Sequence, residues 1–137
     1  MKKFLLIAIT LCAFSLIASA QFQVTVKLTG TCIYPDQDTY YAVRIKVKNT
    51  DNNSIIETQS ATVLTTTAGN PVYITVQFSS FCTADNTKKY KIEADAAKVY
   101  LNPITEICYD KKTIIELYSC DDFVFNSPIY IGELELE

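Results

Sequence analysis

The sequence predicts an all-β chain folded as an antiparallel sandwich of about seven or eight strands. Three observations predict it. Apolar residues recur at every second position in several separate stretches, the signature of strands with one face in a core and one in water. All four prolines (Pro35, Pro71, Pro103 and Pro128) fall between those stretches, where a residue without an N–H does no harm. Short strands at regular spacing, each closed by turn residues, are the pattern of two packed sheets.

The clearest statement of the pattern is Tyr40 to Asn49. Tyr41, Val43, Ile45 and Val47 share one parity, while Ala42, Arg44, Lys46 and Lys48 take the other. A strand with one oily and one cationic side must be covered by a second layer. Before it, Phe22 to Thr29 turns Phe22, Val24, Val26 and Leu28 to one face, and the cluster Tyr34–Asp38 reads as a turn. After it, Thr50-Asp51-Asn52-Asn53 is a hairpin signal, since asparagine and aspartate tolerate positive φ. Ser54 to Thr65 is β-branched but poorly alternating, as an edge or partly exposed strand would be.

Val72 to Ser79 alternates cleanly, with Val72, Ile74, Val76 and Phe78 inward and Tyr73 outward. In Lys89 to Leu101 the inward set is Tyr90, Ile92 and Ala94, then Ala97, Val99 and Leu101. The change of phase after Ala96 predicts a β-bulge. Ile104 to Ser119 reads as one long strand, or as a small hairpin turning at Asp110-Lys111-Lys112. A helix over Thr113–Leu117 would oppose its β-branched content. The last strand is Tyr130 to Glu137, with Tyr130, Leu134 and Leu136 inward.

Length and composition bound the rest. The chain has 137 residues and opens with Lys2 and Lys3, an apolar run from Phe4 to Ile17, and Ala18-Ser19-Ala20. Those are the parts of a secretory signal peptide cut after Ala20. Residues 21–137 are then expected to form one domain, secreted or held in the periplasm or cell envelope, with no membrane span left after cleavage. Ten basic and all fifteen acidic residues remain, a formal charge of −5. An acidic domain without a basic block is a poor match for nucleic acid.

Four cysteines remain in that domain: Cys32, Cys82, Cys108 and Cys120. An even number in an exported domain reads as two disulfides. No two have Cys-x-x-Cys spacing and the chain has no histidine, which leaves a zinc site little to work with. Strands running alternately up and down pair Cys32 with Cys108 and Cys82 with Cys120. A hairpin at residues 110–112 would exchange the partners, giving Cys32–Cys120 and Cys82–Cys108.

Without histidine the usual nucleophile–base pairs are missing. Two acid pairs, Asp36 with Asp38 and Asp121 with Asp122, lie in turn-like segments, where aspartate serves the backbone. Three glycines make no phosphate loop, and Asp36-Gln37-Asp38 is only a fragment of a calcium loop. The expectation is therefore a non-enzymatic chain with no cofactor and no metal. Its candidate contact residues are Tyr73, on the outward parity of its strand, and the cationic pair Arg44 and Lys46, which could equally face acids on neighbouring strands. Tyr40, Tyr100 and Tyr130 could lie on either side.

The pattern as a whole resembles an immunoglobulin-like or prealbumin-like sandwich, of the kind carried by many exported bacterial proteins. Such a fold does not by itself fix a function; the expectation is a module contacting a protein or a glycan through a sheet face or its end loops. The alternative is a structural or assembly subunit that pairs by an edge strand, with Phe22–Thr29 and Tyr130–Glu137 as the strands on offer. A small hydrolase or inhibitor is the remote third reading.

Overall fold

A computed structural model describes residues 21–79, 87–125 and 127–137. The expected signal segment and Cys82 lie outside the described residues. Among the described residues the strands are β1 (Phe22–Thr29), β2 (Thr39–Asn49), β3 (Ile55–Leu64), β4 (Val72–Phe78), β5 (Tyr90–Leu101), β6 (Ile104–Thr113) and β7 (Ile129–Glu135), with a short helix, α1 (Cys120–Phe125), before the last strand. They form two sheets, a three-stranded one in the order β4-β1-β7 and a four-stranded one in the order β3-β2-β5-β6. The fold is a β-sandwich.

The alternating rows make its core. Phe22, Val24, Val26 and Leu28 of β1 and Val72, Ile74, Val76 and Phe78 of β4 face Tyr41, Val43, Ile45 and Val47 of β2 and Ile92 and Ala94 of β5, all buried. The rings of Phe22 and Phe78 stack at 5.1 Å across β1 and β4, and Phe123 of α1 packs on Phe22 at 4.5 Å. The hairpin after β2 forms as its composition predicts. Asn49 N–H donates to the Ser54 carbonyl at 2.9 Å, the Asn49 side-chain carbonyl accepts from Asp51 N–H at 2.8 Å, and Asn53 sits at φ 60°. β3 is an edge strand, half-exposed along its length.

One pairing is not antiparallel: β1 and β7 run side by side in the same direction. Strict up-and-down alternation gives the first and seventh strands the same sense, so neighbours in one sheet must be parallel. Central β1 is hydrogen-bonded on both sides, so among the described residues β7 is the terminal strand with an edge that no other strand pairs.

Four local expectations are corrected. The bulge expected at Ala96 is absent, and β5 keeps unbroken register with β2. The irregularity lies instead in β6, where Lys98 pairs with Cys108 but Val99 with Glu106, leaving Ile107 as the extra residue. β5 is buried on both faces over Ile92–Val99, so Ala97 and Val99 are apolar on the outer face, Lys98 points inward and Leu101 is exposed. β6 runs straight through residues 110–112 without a turn, as the one-strand alternative expects, although it ends at Thr113 rather than Ser119. The third correction is α1, which the sequence reading missed. Ser119 caps it, with Asp122 Oδ2 accepting from the Ser119 N–H and hydroxyl, both at 2.7 Å, and Asp122 N–H reaching back to Ser119 Oγ at 3.4 Å. That is a capping box, and Ser-x-x-Asp before Phe123 was its signal. The fourth is Tyr130, which points out: Ile129 and Ile131 are buried, and the phase shifts at Gly132 (φ 94°) so that Leu134 and Leu136 also face in.

A disulfide joins Cys32, in the loop after β1, to Cys108 on β6, with Cα atoms 6.5 Å apart. It bridges the two sheets across 76 residues of chain, a closure that stabilises by about 4–5 kcal/mol in the chain-entropy account. Cys120 is also disulfide-bonded. The expected pair Cys82–Cys120 includes a residue outside the described ones.

The Cys32 loop is further held by Tyr41, whose hydroxyl donates to the Tyr34 carbonyl at 3.1 Å. Lys98, fully buried, donates to the same carbonyl at 3.2 Å and places its ammonium 3.1 Å from the centre of the Tyr34 ring.

Candidate functional site

The outer face of the three-stranded sheet carries an aromatic pair. Tyr73 on β4 and Tyr130 on β7 stand on either side of central β1, both half-exposed, with ring centroids 6.5 Å apart and planes at 56°. Register places them there: Lys27 of β1 lies opposite Tyr73, and Thr25 opposite Tyr130. Lys27 Nζ donates to Glu133 Oε1 at 2.6 Å. That hydrogen bond, with the charge of Glu133 and the nearby tyrosines, raises the Lys27 pKa above its ordinary value and keeps it cationic. Thr25 and Thr75 share a hydroxyl contact at 2.8 Å one row along. The result is a flat surface of two ring faces, one ion pair and two hydroxyls.

Tyr130 also belongs to a second feature. The chain after β6 stays beside β5 by backbone bonds from Ile114 N–H to the Ile92 carbonyl (2.9 Å) and between Tyr118 and Tyr90 in both directions (2.8 and 3.0 Å). Residues between those anchors stand out from the sandwich, leaving Ile115 94% exposed and Leu117 49% exposed. Between this segment and β7 lie two adjoining open hollows. One of about 470 Å³ is lined by Glu116, Leu117, Tyr118, Asp122 and residues 128–130. The other, of about 370 Å³, is lined by residues 112–116, Tyr118 and residues 130–132. Glu116, Tyr118 and Tyr130 line both. The Tyr118 hydroxyl donates to Glu116 Oε2 at 3.2 Å, and burial, reinforced by that carboxylate, pushes its pKa up to about 12. Asp122 is held below its ordinary value by the Ser119 N–H and hydroxyl. It is a helix cap.

The remaining candidates are not brought to this surface. Arg44 and Lys46 project from the opposite side of the sandwich, on the outer face of the four-stranded sheet. There Arg44 meets Asp95 at 2.9 Å and Lys46 meets Glu93 at 3.2 Å. Tyr73 therefore shares no site with them. Asp36 serves its turn through the backbone: its N–H donates to Thr65 Oγ1 at 3.0 Å and its carbonyl accepts from Thr65 and Thr39 hydroxyls. Asp38 sits at φ 58°. Tyr100 is 40% exposed, and Tyr40 is half-buried on the outer face beside Leu64 and Leu101. Among the described residues no helix is long and apolar enough to cross a membrane.

No protein-family model matches the chain, and no curated protein matches it either. Among solved structures it is similar to an alternative pilotin from the type II secretion system of Vibrio cholerae, at 9% identity and a TM-score of 0.45, over 85% of this chain and 97% of the pilotin. It is also similar to the major pilin T-13 of Streptococcus pyogenes, at 9% identity and a TM-score of 0.44, over 88% of this chain. The match spans about half of that pilin, 53% of its length. Both likenesses are distant.

Proposed function

We propose that the chain is an exported, non-enzymatic interaction module, cleaved after Ala20. Its contact surface is the outer face of the three-stranded sheet, continued past Tyr130 into the cleft beside β7, and its partner is a protein or a glycan. One observation carries the reading. Tyr130 stands 6.5 Å from Tyr73 and also lines both hollows of the cleft, so platform and cleft form one surface. Tyrosine offers a large amphipathic area at little entropic cost, which is why it concentrates where partners are gripped. A disulfide between the sheets fits an oxidising compartment. Asp36 and Asp38 serve a turn and Asp122 a helix cap, which supports a binding role over a catalytic one.

The test is capture of partners by purified residues 21–137, from the envelope fraction of the producing cell and on a glycan array. Tyr73→Ala and Tyr130→Ala should each lower capture about tenfold or more while leaving the circular dichroism spectrum unchanged. Capture untouched by both substitutions would move the site elsewhere.

A second reading, assembly by strand addition, has one observation in its favour: among the described residues β7 is paired with a strand on one side only, and the cleft runs along its other side. A partner strand could enter beside Ile129–Ile131. Oligomers that form with rising concentration and disappear on Ile131→Pro would favour it.

A further inference from the structure

The opposite face of the sandwich carries charge of the wrong sign for an acidic chain. On the outer side of the four-stranded sheet, four cations converge on two carboxylates. Glu93 takes Lys46 at 3.2 Å, Lys48 at 2.8 Å and Lys111 at 3.2 Å. Asp95 takes Arg44 at 2.9 Å, with Lys46 a further 3.9 Å away. Both acids lie low in the sheet, their side chains 9% exposed, while those of Arg44 and Lys111 are about half exposed. The acids are sunk and the cations stand above them. Lys91, directly across from Lys48, adds a fifth positive charge and no acid. Against a formal charge of −3 for the whole chain, this patch is positive by three.

Exposed aromatic surface begins where the cations end. Tyr109, two residues before Lys111 on the same face of β6, is 45% exposed and close enough to Arg44 to help hold its charge. Beyond it, Tyr40, Leu64 and Leu101 line an open hollow of about 420 Å³.

We propose that this face binds an acidic polysaccharide, with sugar carboxylate or sulfate groups on Arg44 and Lys111 and a ring stacked on Tyr109. A guanidinium matches such an anion in a planar fork and an ammonium matches it as a point charge, while the tyrosine face accepts the apolar side of a sugar. An acidic peptide could use the cations, but it gives Tyr109 no ring to hold. This site is on the other side of the molecule from Tyr73 and Tyr130 and stands whether or not that surface is used.

The experiment measures binding of residues 21–137 to immobilised heparin and to polygalacturonate, with neutral dextran and polyglutamate as controls. Binding to the acidic polysaccharides, absent on dextran, should weaken about tenfold as salt rises from low to physiological strength. Lys111→Gln leaves Glu93 two lysines and so spares the fold. It should cost about three- to tenfold in affinity, and Tyr109→Ala a similar factor on the polysaccharides alone. No binding at low salt, or binding indifferent to Lys111→Gln, overturns the site. Polyglutamate bound as tightly as the polysaccharides, with Tyr109→Ala without effect, would make the partner an acidic protein and overturn the glycan assignment.

Discussion

Asp110, on β6, accepts a hydrogen bond from the backbone N–H of Glu135 on β7 at 2.9 Å, so a side chain of one sheet stands where a neighbouring strand would pair with the other. Two residues along, Lys112 Nζ donates to the Glu133 carbonyl at 3.4 Å. Together they occupy the second half of the β7 edge, and an occupied edge does not recruit strands. The far side of the sandwich is closed the same way, by Glu57 of β3 accepting from the N–H and hydroxyl of Ser79 at 3.0 and 2.8 Å. Asp110→Ala removes this bond and a second one from the Lys111 N–H; both are exposed, so it should cost only about 1–2 kcal/mol of stability, yet produce self-association that grows with concentration. Sedimentation velocity across a concentration series checks it. A variant that stays monomeric throughout would mean that the edge is guarded by something other than this carboxylate.

Lys98 gives a second prediction. Its ammonium is buried against the Tyr34 ring and carbonyl, and the described contacts give it no carboxylate. Lys98→Met keeps most of the volume, removes the charge and leaves the Tyr34 carbonyl its bond from Tyr41. Replacing a buried ion by a well-packed apolar group is often neutral or better, so stability to urea should be unchanged or higher. Lys98→Ala opens a cavity and should cost about 2–4 kcal/mol. Equal, large losses in both variants would show that the cation itself, through the ring contact, holds the loop in place.

What the sequence could tell depends on how many neighbours decide each residue. Rows facing a single core, such as Val72–Phe78, report their own burial, because alternation is a local property. The β5 row does not. Glu93 and Asp95 are buried because lysines and an arginine from β2 and β6 close over them, and Ala97 and Val99 are covered by the neighbours beside them in the sheet. A strand covered on both faces loses the alternation by which its phase is read, and the apparent bulge at Ala96 was that loss. Tyr130 was misplaced by Gly132, whose positive φ shifts the phase of β7 midway and is invisible to a period-two count. At the candidate surface, Tyr73 was legible from parity alone. Its pairing with Tyr130 was not, since it rests on β1 lying between β4 and β7, a choice of neighbours that no local pattern encodes.

The three lysines around Glu93 predict a pH dependence. Hydrogen bonds from Lys48, Lys111 and Lys46 outweigh the cost of burial and bring its pKa from 4.5 down to about 2. A carboxylate whose folded pKa is depressed contributes stability above its unfolded value, and the contribution disappears as pH falls through the folded one. The window is thus between about 4.5 and about 2. The loss should be about 1–3 kcal/mol, the upper figure being the whole shift and the lower allowing for water around the lysines. Urea titrations at steps of pH should show that slope in the parent chain and a shallower one in Glu93→Gln. Identical slopes would place the acid sensitivity on other carboxylates.

Gly30 closes the junction between the first and last strands. It ends β1 at φ 107°, and a Cβ there would press into the backbone of Leu136, against its carbonyl oxygen first and its nitrogen and carbonyl carbon next. The same stretch is tied by Leu136 N–H donating to the Thr29 carbonyl at 2.8 Å and Cys32 N–H to the Leu136 carbonyl at 3.1 Å. Backbone cannot swing aside as a side chain can, so Gly30→Ala must break those bonds or force β7 away from β1, beside Cys32 and its disulfide. Strain at a left-handed position costs about 1–3 kcal/mol by itself, and the lost bonds add about 1 kcal/mol each. The variant should unfold at clearly lower urea, whereas Gly132→Ala, whose added carbon would meet only the end of the Lys112 side chain at 3.6 Å, should lose less despite its own positive φ. Comparable midpoints for the two variants would show that conformational strain, not the Leu136 contact, sets the cost at Gly30.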